Sequence, residues 1–451
     1  MSNKKEIPQV KLTTMLMNYE HINKNLVTYF QQLLAEHDGL VKVKLPYSLV
    51  LTDRAEIVEH VFRKNQKNYI KTKVVRENVR DQIGHGLFTS NGSYWLKQRR
   101  AIQPGFHRKK LEKIADVMVQ EIDLYMTNVL DVYADQQQEI DLVEEMITLA
   151  LKVLTKTLFG QDFAEDKINA FGDSVDFARY YILNETRKPY LKLWYRLNGM
   201  HAQNKKQKNI RNEIILGLIE ERRKSGKQGD DLLDMLLNIR YEDGSAMTDQ
   251  QLLDEVIVLF IAGHDTSAIT MAWAWYLLAR HPDIEQNVLQ SVEETLGNRN
   301  PTFADVRSMA YPLQVIEETM RLYPAVWFLD REPLENDAID GIPIKKGEDI
   351  AASIYSLHRN PKYWKNPNQF DPERFSRANK KKQVPFSYMP FGGGPRLCIG
   401  KNFAQMEMQF MLAMLIRRYK FTLTSTNEIA FKPLLTLCPS EGVNVKITRR
   451  S

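Results

Sequence analysis

The residues best suited to chemistry run from Phe391 to Gly400: Phe391-Gly392-Gly393-Gly394-Pro395-Arg396-Leu397-Cys398-Ile399-Gly400. They set Cys398 in a turn with almost no side-chain bulk before it, a cation (Arg396) two residues upstream, and a helical pattern after Gly400. Backbone N–H groups in such a turn, and the start of a helix, both favour negative charge. The pattern therefore predicts a lowered thiol pKa and a thiolate, the form that binds a metal. Phe391 can lie against a flat cofactor, Gly394 and Gly400 allow close backbone approach, and Arg396 can neutralise an acidic group on that cofactor. A tight turn carrying a buried cysteine is the plainer reading of the same ten residues.

Three further constellations stand out. Ala262-Gly263-His264-Asp265-Thr266-Ser267 interrupts an otherwise apolar helical pattern with poor helix formers, Gly alone costing ~1 kcal/mol against Ala. Such local violations suggest a site: Gly263 leaves room for an approach to the backbone, and Thr266 with Asp265 can supply a hydroxyl and a proton route. A polar patch on a long helix is the alternative, and His264 reads as a structural or gating residue. Glu318-Thr319-Met320-Arg321 puts a carboxylate and a guanidinium on one helix face, with Arg374 available downstream. Trp95 and Arg99 lie one helical turn apart, where both could reach a carboxylate, or where an amphipathic helix could simply bury the ring and solvate the cation.

With every fixed position matched, the cysteine segment resembles the haem-binding loop of the cytochrome P450 family, Phe-x-x-Gly-x-Arg-x-Cys-x-Gly. Ala262 to Ser267 is similar to that family's oxygen-activating groove, Glu318, Arg321 and Arg374 to its Glu-x-x-Arg network, and Trp95/Arg99 to its propionate contacts; the motifs also come in the family's order. The resemblance runs from about residue 40 to 449. It implies a single haem-thiolate monooxygenase domain over 1–451, mainly α with small β-sheets. The fold would be a triangular helical prism with haem b held between a long distal helix and the helix after the cysteine. Cys398 would ligate the iron, and Thr266 and Asp265 would manage protons during O2 activation. Trp95, Arg99, Ala262, Arg331, Phe391, Arg396 and Gly400 would contact the cofactor, while Glu318, Arg321 and Arg374 would brace the cysteine loop. His358 receives no catalytic role. Leu87, Phe88, Ile261, Val326, Trp327, Leu435 and Leu437 would line the substrate pocket.

The elements that must position these residues are partly legible. Thr248 with Gln251 forms a capping box, and apolar periodicity then runs to the His281-Pro282 stop, roughly 50 Å of helix at 1.5 Å per residue. Tyr19 to Glu36 reads as an amphipathic segment, Val41 to Leu51 as a hairpin turning near Pro46 and Tyr47. Leu334 to Ile350, Phe421 to Thr424 and Val443 to Ile447 are β-like. No linker, repeat or low-complexity tract divides the 451 residues, and 43% hydrophobic residues can fill a sizeable core.

Two cysteines in so long a chain suit a reducing compartment. Cys438 reads as a small buried apolar residue. Met1 to Val10 is polar, with no signal peptide and no apolar run of about 18–20 residues to anchor it in a membrane. The expectation is a cytoplasmic monomer of the soluble bacterial type. A net charge of +6 does not suggest nucleic acid. Lys97, Arg99, Arg100, Arg108, Lys109, Lys110 and Lys113, with Lys401, could steer an acidic ferredoxin or flavodoxin to the cysteine side, its reductase drawing on NAD(P)H; a solvated basic face is the other reading.

Substrate is less determined. The pocket residues are mostly apolar, whereas Lys71, Lys73, Arg76, Glu77, Arg80, Asp81 and Gln82 add polarity nearby or are merely solvated. C–H hydroxylation or oxidative O-demethylation, for instance of a methylated sugar, is one expectation; hydroxylation of fatty acids or terpenoids is the other. Peroxide-driven peroxygenases of the family generally replace the acid–alcohol pair, so Asp265 and Thr266 speak against that activity. A haem sensor would need a second strong ligand, for which His264 is the nearby candidate. A purely structural helical protein would bind no haem.

Overall fold

In the computed structural model, which describes residues 6–44, 48–160, 165–226 and 231–450, seven helices frame the site. They are α1 (Gly92–Ile102), α2 (Leu142–Phe159), α3 (Glu165–Arg187), α4 (Met200–Ser225), α5 (Asp249–Arg280), α6 (Ala310–Leu322) and α7 (Lys401–Arg418). The predicted cap opens α5: Thr248 Oγ1 accepts the Gln251 N–H at 3.2 Å and Gln251 Oε1 accepts the Thr248 N–H at 2.9 Å. Two donors that a helix start would otherwise orphan are thereby satisfied. His281 and Pro282 end the helix after 32 residues.

A helix apolar on nearly every side must be buried. Among the described residues α5 is the one helix long and apolar enough to cross a membrane, and protein surrounds most of that stretch. α2, α4, α6 and α7 all pack against it. The main core spreads outward from Phe260, Trp273 and Trp275 of α5 to Phe171 of α3 and Phe410 of α7.

The predicted hairpin forms from Leu40–Lys44 and Ser48–Thr52, antiparallel, with Val41 opposite Leu51. Pro46 and Tyr47 lie outside the described residues. The hairpin is the edge of a five-stranded sheet that continues through Asp349–Ser353 and Phe328–Pro333 to Tyr69–Ile70. The β-like stretch therefore starts earlier than the sequence indicated, at Phe328, and its middle folds away as a separate hairpin of Asp337–Ile339 and Ile342–Ile344. The β-like stretches near the C-terminus are strands, Tyr419–Leu423 and Asn444–Arg449, which pair antiparallel, and Glu139–Asp141 adds a third strand. The opening amphipathic segment is two helices, Tyr19–Lys24 and Leu26–Glu36. Asn25 breaks it because its Oδ1 caps the second helix, accepting the N–H of Val27 and Thr28 at 3.2 and 3.3 Å.

Candidate active site

Cys398 sits one turn before α7, its backbone N–H donating to Phe391 O at 3.0 Å across the loop. Gly394 adopts φ +64°, and a Cβ there would collide with the carbonyl of Phe62, so glycine lets this loop settle onto the His60–Lys64 stretch. The close approach that Gly394 allows is thus to protein backbone. Cys398 keeps exposed surface, although protein packs closely around its sulfur. Contrary to the sequence expectation, burial raises its pKa; the Gly400 N–H, Arg99 and Lys401 pull the other way without prevailing.

Beside the loop lies a row of cations. Arg396 donates to Ser90 O at 2.8 Å and to Asn91 Oδ1 at 3.3 Å, with its guanidinium 4.0 Å over the Trp95 ring. Arg331 lies over Phe62 at 4.6 Å, and Lys71 over Phe88 at 4.2 Å. Burial lowers Arg331 to about 10 and Arg396 to about 9; Arg331 and Arg99 add repulsion at Arg396. Lys71 is pushed far down, first by burial and then by Arg331 and Arg396. Asp330, which accepts the Thr72 hydroxyl at 3.0 Å, is the carboxylate felt by both Lys71 and Arg331. Arg99 stands at the edge of the row, half-spent on Leu397 O at 2.8 Å and Gln103 at 3.3 Å. Four clustered basic side chains, two of them beside Asp330, are costly to charge together unless further anionic groups join them. Lys71 is the member that sequence reasoning missed: a lysine between Ile70 and Thr72 carries no mark of its burial.

On α5, nearly every residue from Leu252 to Leu278 is buried, yet Ala262 is exposed and Ile261, Gly263 and Thr266 are partly so. Ala262 and Thr266 share a face, and the Thr266 hydroxyl donates to Ala262 O at 2.9 Å. Gly263 faces α2, where a Cβ would stand 3.0 Å from Leu154, so its smallness serves helix packing. Asp265 turns to another side: it is buried and ion-paired with Arg179 of α3, which also bonds Asp176. The acid and the alcohol therefore face different partners. His264 is 2% exposed, packed 5.9 Å from the Phe260 ring and 3.2 Å from Asp265. Burial, then Arg179, lowers its pKa to about 4, and its ring lies toward α2 and α3. This placement fits the structural role and speaks against the sensor reading.

Arg321 clamps Glu318 through two hydrogen bonds, 2.7 and 2.8 Å, with both side chains wholly buried. Arg374 Nε approaches the same carboxylate at 3.3 Å, and Arg321 also donates to the carbonyls of His358, Pro367 and Gln369. His358 in turn accepts the Met389 N–H at 2.8 Å, two residues before the cysteine loop begins. The network thus reaches the loop through the backbone it braces.

Of the apolar residues assigned to the pocket, Phe88 is 44% and Leu435 39% exposed; Val326 and Ile261 are half-buried and Leu87 is buried against the Glu255 side of α5. Two assignments are corrected. Trp327 packs in the core against Phe328 and donates its indole N–H to Leu434 O at 3.0 Å. Leu437 is fully buried, its N–H bonded to Ala325 O and its carbonyl receiving the Trp273 indole N–H at 2.8 Å. Both hold the wall from behind, and Leu434, 40% exposed, stands with Leu435 at the front.

The cytochrome P450 profile matches residues 8–447. The chain belongs to the cytochrome P450 family. It is 31% identical over 415 residues to cyclooctatin synthase of Streptomyces melanosporofaciens, covering 90% of this chain and 87% of that one. LUTEIN DEFICIENT 5, chloroplastic, of Arabidopsis thaliana is 29% identical over 443 residues (93% of this chain, 73% of the relative), and cytochrome P450 4V2 of Mus musculus 28% over 480 residues (99% and 90%). Among solved structures, the cytochrome P450DA heme domain superposes with a TM-score of 0.87 at 24% identity, covering 99% of this chain and 98% of that one, a match of fold.

Cytochromes P450 are haem-dependent monooxygenases that use O2 and NAD(P)H-derived electrons passed on by partners, and this chain is one of them. The residues present suit that cofactor. A cysteine that keeps exposed surface, a cation row short of counter-charge, and the exposed Ala262 on an otherwise buried helix match an iron ligand, two acidic side groups and a flat macrocycle.

Proposed function

We propose that this cytochrome P450 inserts one atom of O2 into a C–H bond of an apolar substrate, with Cys398 as the iron ligand. The observation that carries this is the pairing of Cys398, which keeps exposed surface, with the under-compensated row of Lys71, Arg331, Arg396 and Arg99. Thiolate-ligated haem, when bound, supplies O2 activation and O–O cleavage. Trp95, Arg396, Arg331 and Lys71 hold the acidic side groups, while Phe391, Ala262 and Gly400 bound the faces. Thr266 presents a hydroxyl to the reacting side, and its bond to Ala262 O fixes which way the oxygen lone pairs point. Asp265 carries protons inward from the solvent-facing Arg179–Asp176 pair by exchanging its Arg179 contact for one toward Thr266. Residues 1–451 act as one haem domain.

For the substrate, the polar-ligand idea rested on Lys71, Arg76 and their neighbours. Lys71 belongs to the cation row, Arg76 is paired with Glu332 at 2.9 Å, and Asp81 with Lys208 at 3.2 Å. Lys73, Glu77 and Arg80 stay exposed on the segment before Leu87, and the apolar side chains with open surface are Phe88, Val326, Leu434 and Leu435. Such a wall suits a terpenoid or acyl chain better than a methylated sugar. Spin-shift titrations test this: terpenoids or fatty acids should shift the spectrum, and a response to methylated sugars alone would overturn it. Electrons are proposed to come from an acidic ferredoxin or flavodoxin and its reductase, and the protein to work in the cytoplasm as a monomer.

A further inference from the structure

Between Ile83 and Asn91 the chain has no regular structure, yet it carries Leu87 and Phe88 to the pocket wall. Two consecutive carboxylates of α5 meet it there. Asp254 accepts the His85 N–H at 2.8 Å and Glu255 accepts the Leu87 N–H at 2.9 Å. Both acids are buried, at 8% and 1% exposure, and the second Glu255 oxygen has no partner. Glycines make the approach possible. A Cβ on Gly84, at φ +83°, would collide with the Asp254 carboxylate, and one on Gly86 would stand 2.9 Å from Val258 and 3.1 Å from Glu255. Inside the loop, Thr89 closes onto Gly84 O at 2.7 Å. At its far end Arg396 holds Ser90 and Asn91.

We infer that Asp254 and Glu255 are specificity-determining positioning residues, which set the depth of Leu87 and Phe88 over the reacting position by pinning Gly84–Leu87 to α5. This rests on the proposed reading of the wall at Phe88, Val326, Leu434 and Leu435 as part of the substrate pocket. The reason is one of register. The far end of the loop is fixed by Arg396, so its depth is set where His85 and Leu87 are held. Removing the Glu255 acceptor leaves a buried N–H unsatisfied, and the loop must move to find a partner. A ligand that reaches the wall feels that movement; one confined to the iron does not.

The test is spectral titration of the haem-loaded protein with imidazole, which needs only the iron, and with 4-phenylimidazole, which also needs the wall. Glu255→Ala should weaken 4-phenylimidazole about tenfold, the effect of a lost buried hydrogen bond, while imidazole affinity stays within about twofold. Glu255→Gln, which keeps an acceptor for Leu87, should restore both. Should Glu255→Ala take up no haem, Gly86→Ala moves the same contact without touching the acid and should show the same selective loss. Equal weakening of both azoles, no weakening in either variant, or no rescue by Gln would overturn the inference. A wild-type protein that takes up no haem would instead overturn the proposed function, before any variant is made.

Discussion

At the residue scale, the structure separates two side chains that adjoin in sequence. Thr266 opens on the reacting side while Asp265 is turned to Arg179, so the alcohol and the acid have different tasks. Thr266→Ala removes the hydroxyl proposed to manage protons at the reacting side, with Asp265 and its partner left in place. Product formed per NAD(P)H consumed should fall by up to roughly 10²-fold, the range of a positioned proton-transfer group, while oxygen uptake continues and appears as peroxide. Measured coupling that equals wild type, or full peroxide-driven turnover without a reductase, would favour the peroxygenase activity instead.

At the element scale, two buried acids tie helices together in opposite electrostatic circumstances. Glu318 is compensated by Arg321 and Arg374. Glu318→Ala strands two guanidinium groups in the interior and should cost ~3–5 kcal/mol, read as a lowered urea midpoint together with haem loss, because the braced backbone leads to the cysteine loop. Glu407 of α7 has no cation: burial raises its pKa to about 8, and only a bond with Ser267 of α5 opposes this. Its folded pKa is above the ordinary carboxylate value of about 4.3, so between pH 4.3 and about 8 the folded chain holds a proton that the unfolded chain has lost. Stability must therefore decline as pH rises through that window, by at most about 1.4 kcal/mol per pH unit. Glu407→Gln keeps a hydrogen-bonding group without the proton. Its urea midpoint relative to wild type should climb from pH 5 to pH 8, and a constant difference would show that Glu407 is ionised when folded.

At the scale of the whole molecule, the basic face is less uniform than its sequence. Lys97 is 3.3 Å from Asp243, and Arg100 lies 3.4 Å from Glu242, so the loop that leads to α5 supplies counter-charge. Arg99 and Lys401 beside Cys398 keep the positive character closest to the iron side. Reduction by a separate acidic ferredoxin should slow several-fold from about 0.05 to 0.5 M salt, where screening shortens to a few ångströms; a salt-independent rate would contradict docking there. What could be read in the sequence was what is encoded locally: the ends of α5, the Glu318–Arg321 pair, the glycine turn around Cys398. What could not be read depends on chain segments far apart. Arg179 meets Asp265 only through the packing of α3 on α5, Lys71 enters the cation row from the end of the edge strand Tyr69–Ile70, and Leu437 looks the same in sequence whether it faces a ligand or the Trp273 indole. The thiol pKa was misjudged for the same reason, since burial is a property of the assembled fold.

The most direct measurement is the absorption spectrum of the purified protein, reduced under carbon monoxide, beside that of Cys398→Ser. The wild type should show the long-wavelength Soret band of thiolate-ligated haem, and the variant should lose both that band and turnover. A wild-type spectrum without that band, or a serine variant that keeps its activity, would contradict the assignment of Cys398 as the iron ligand.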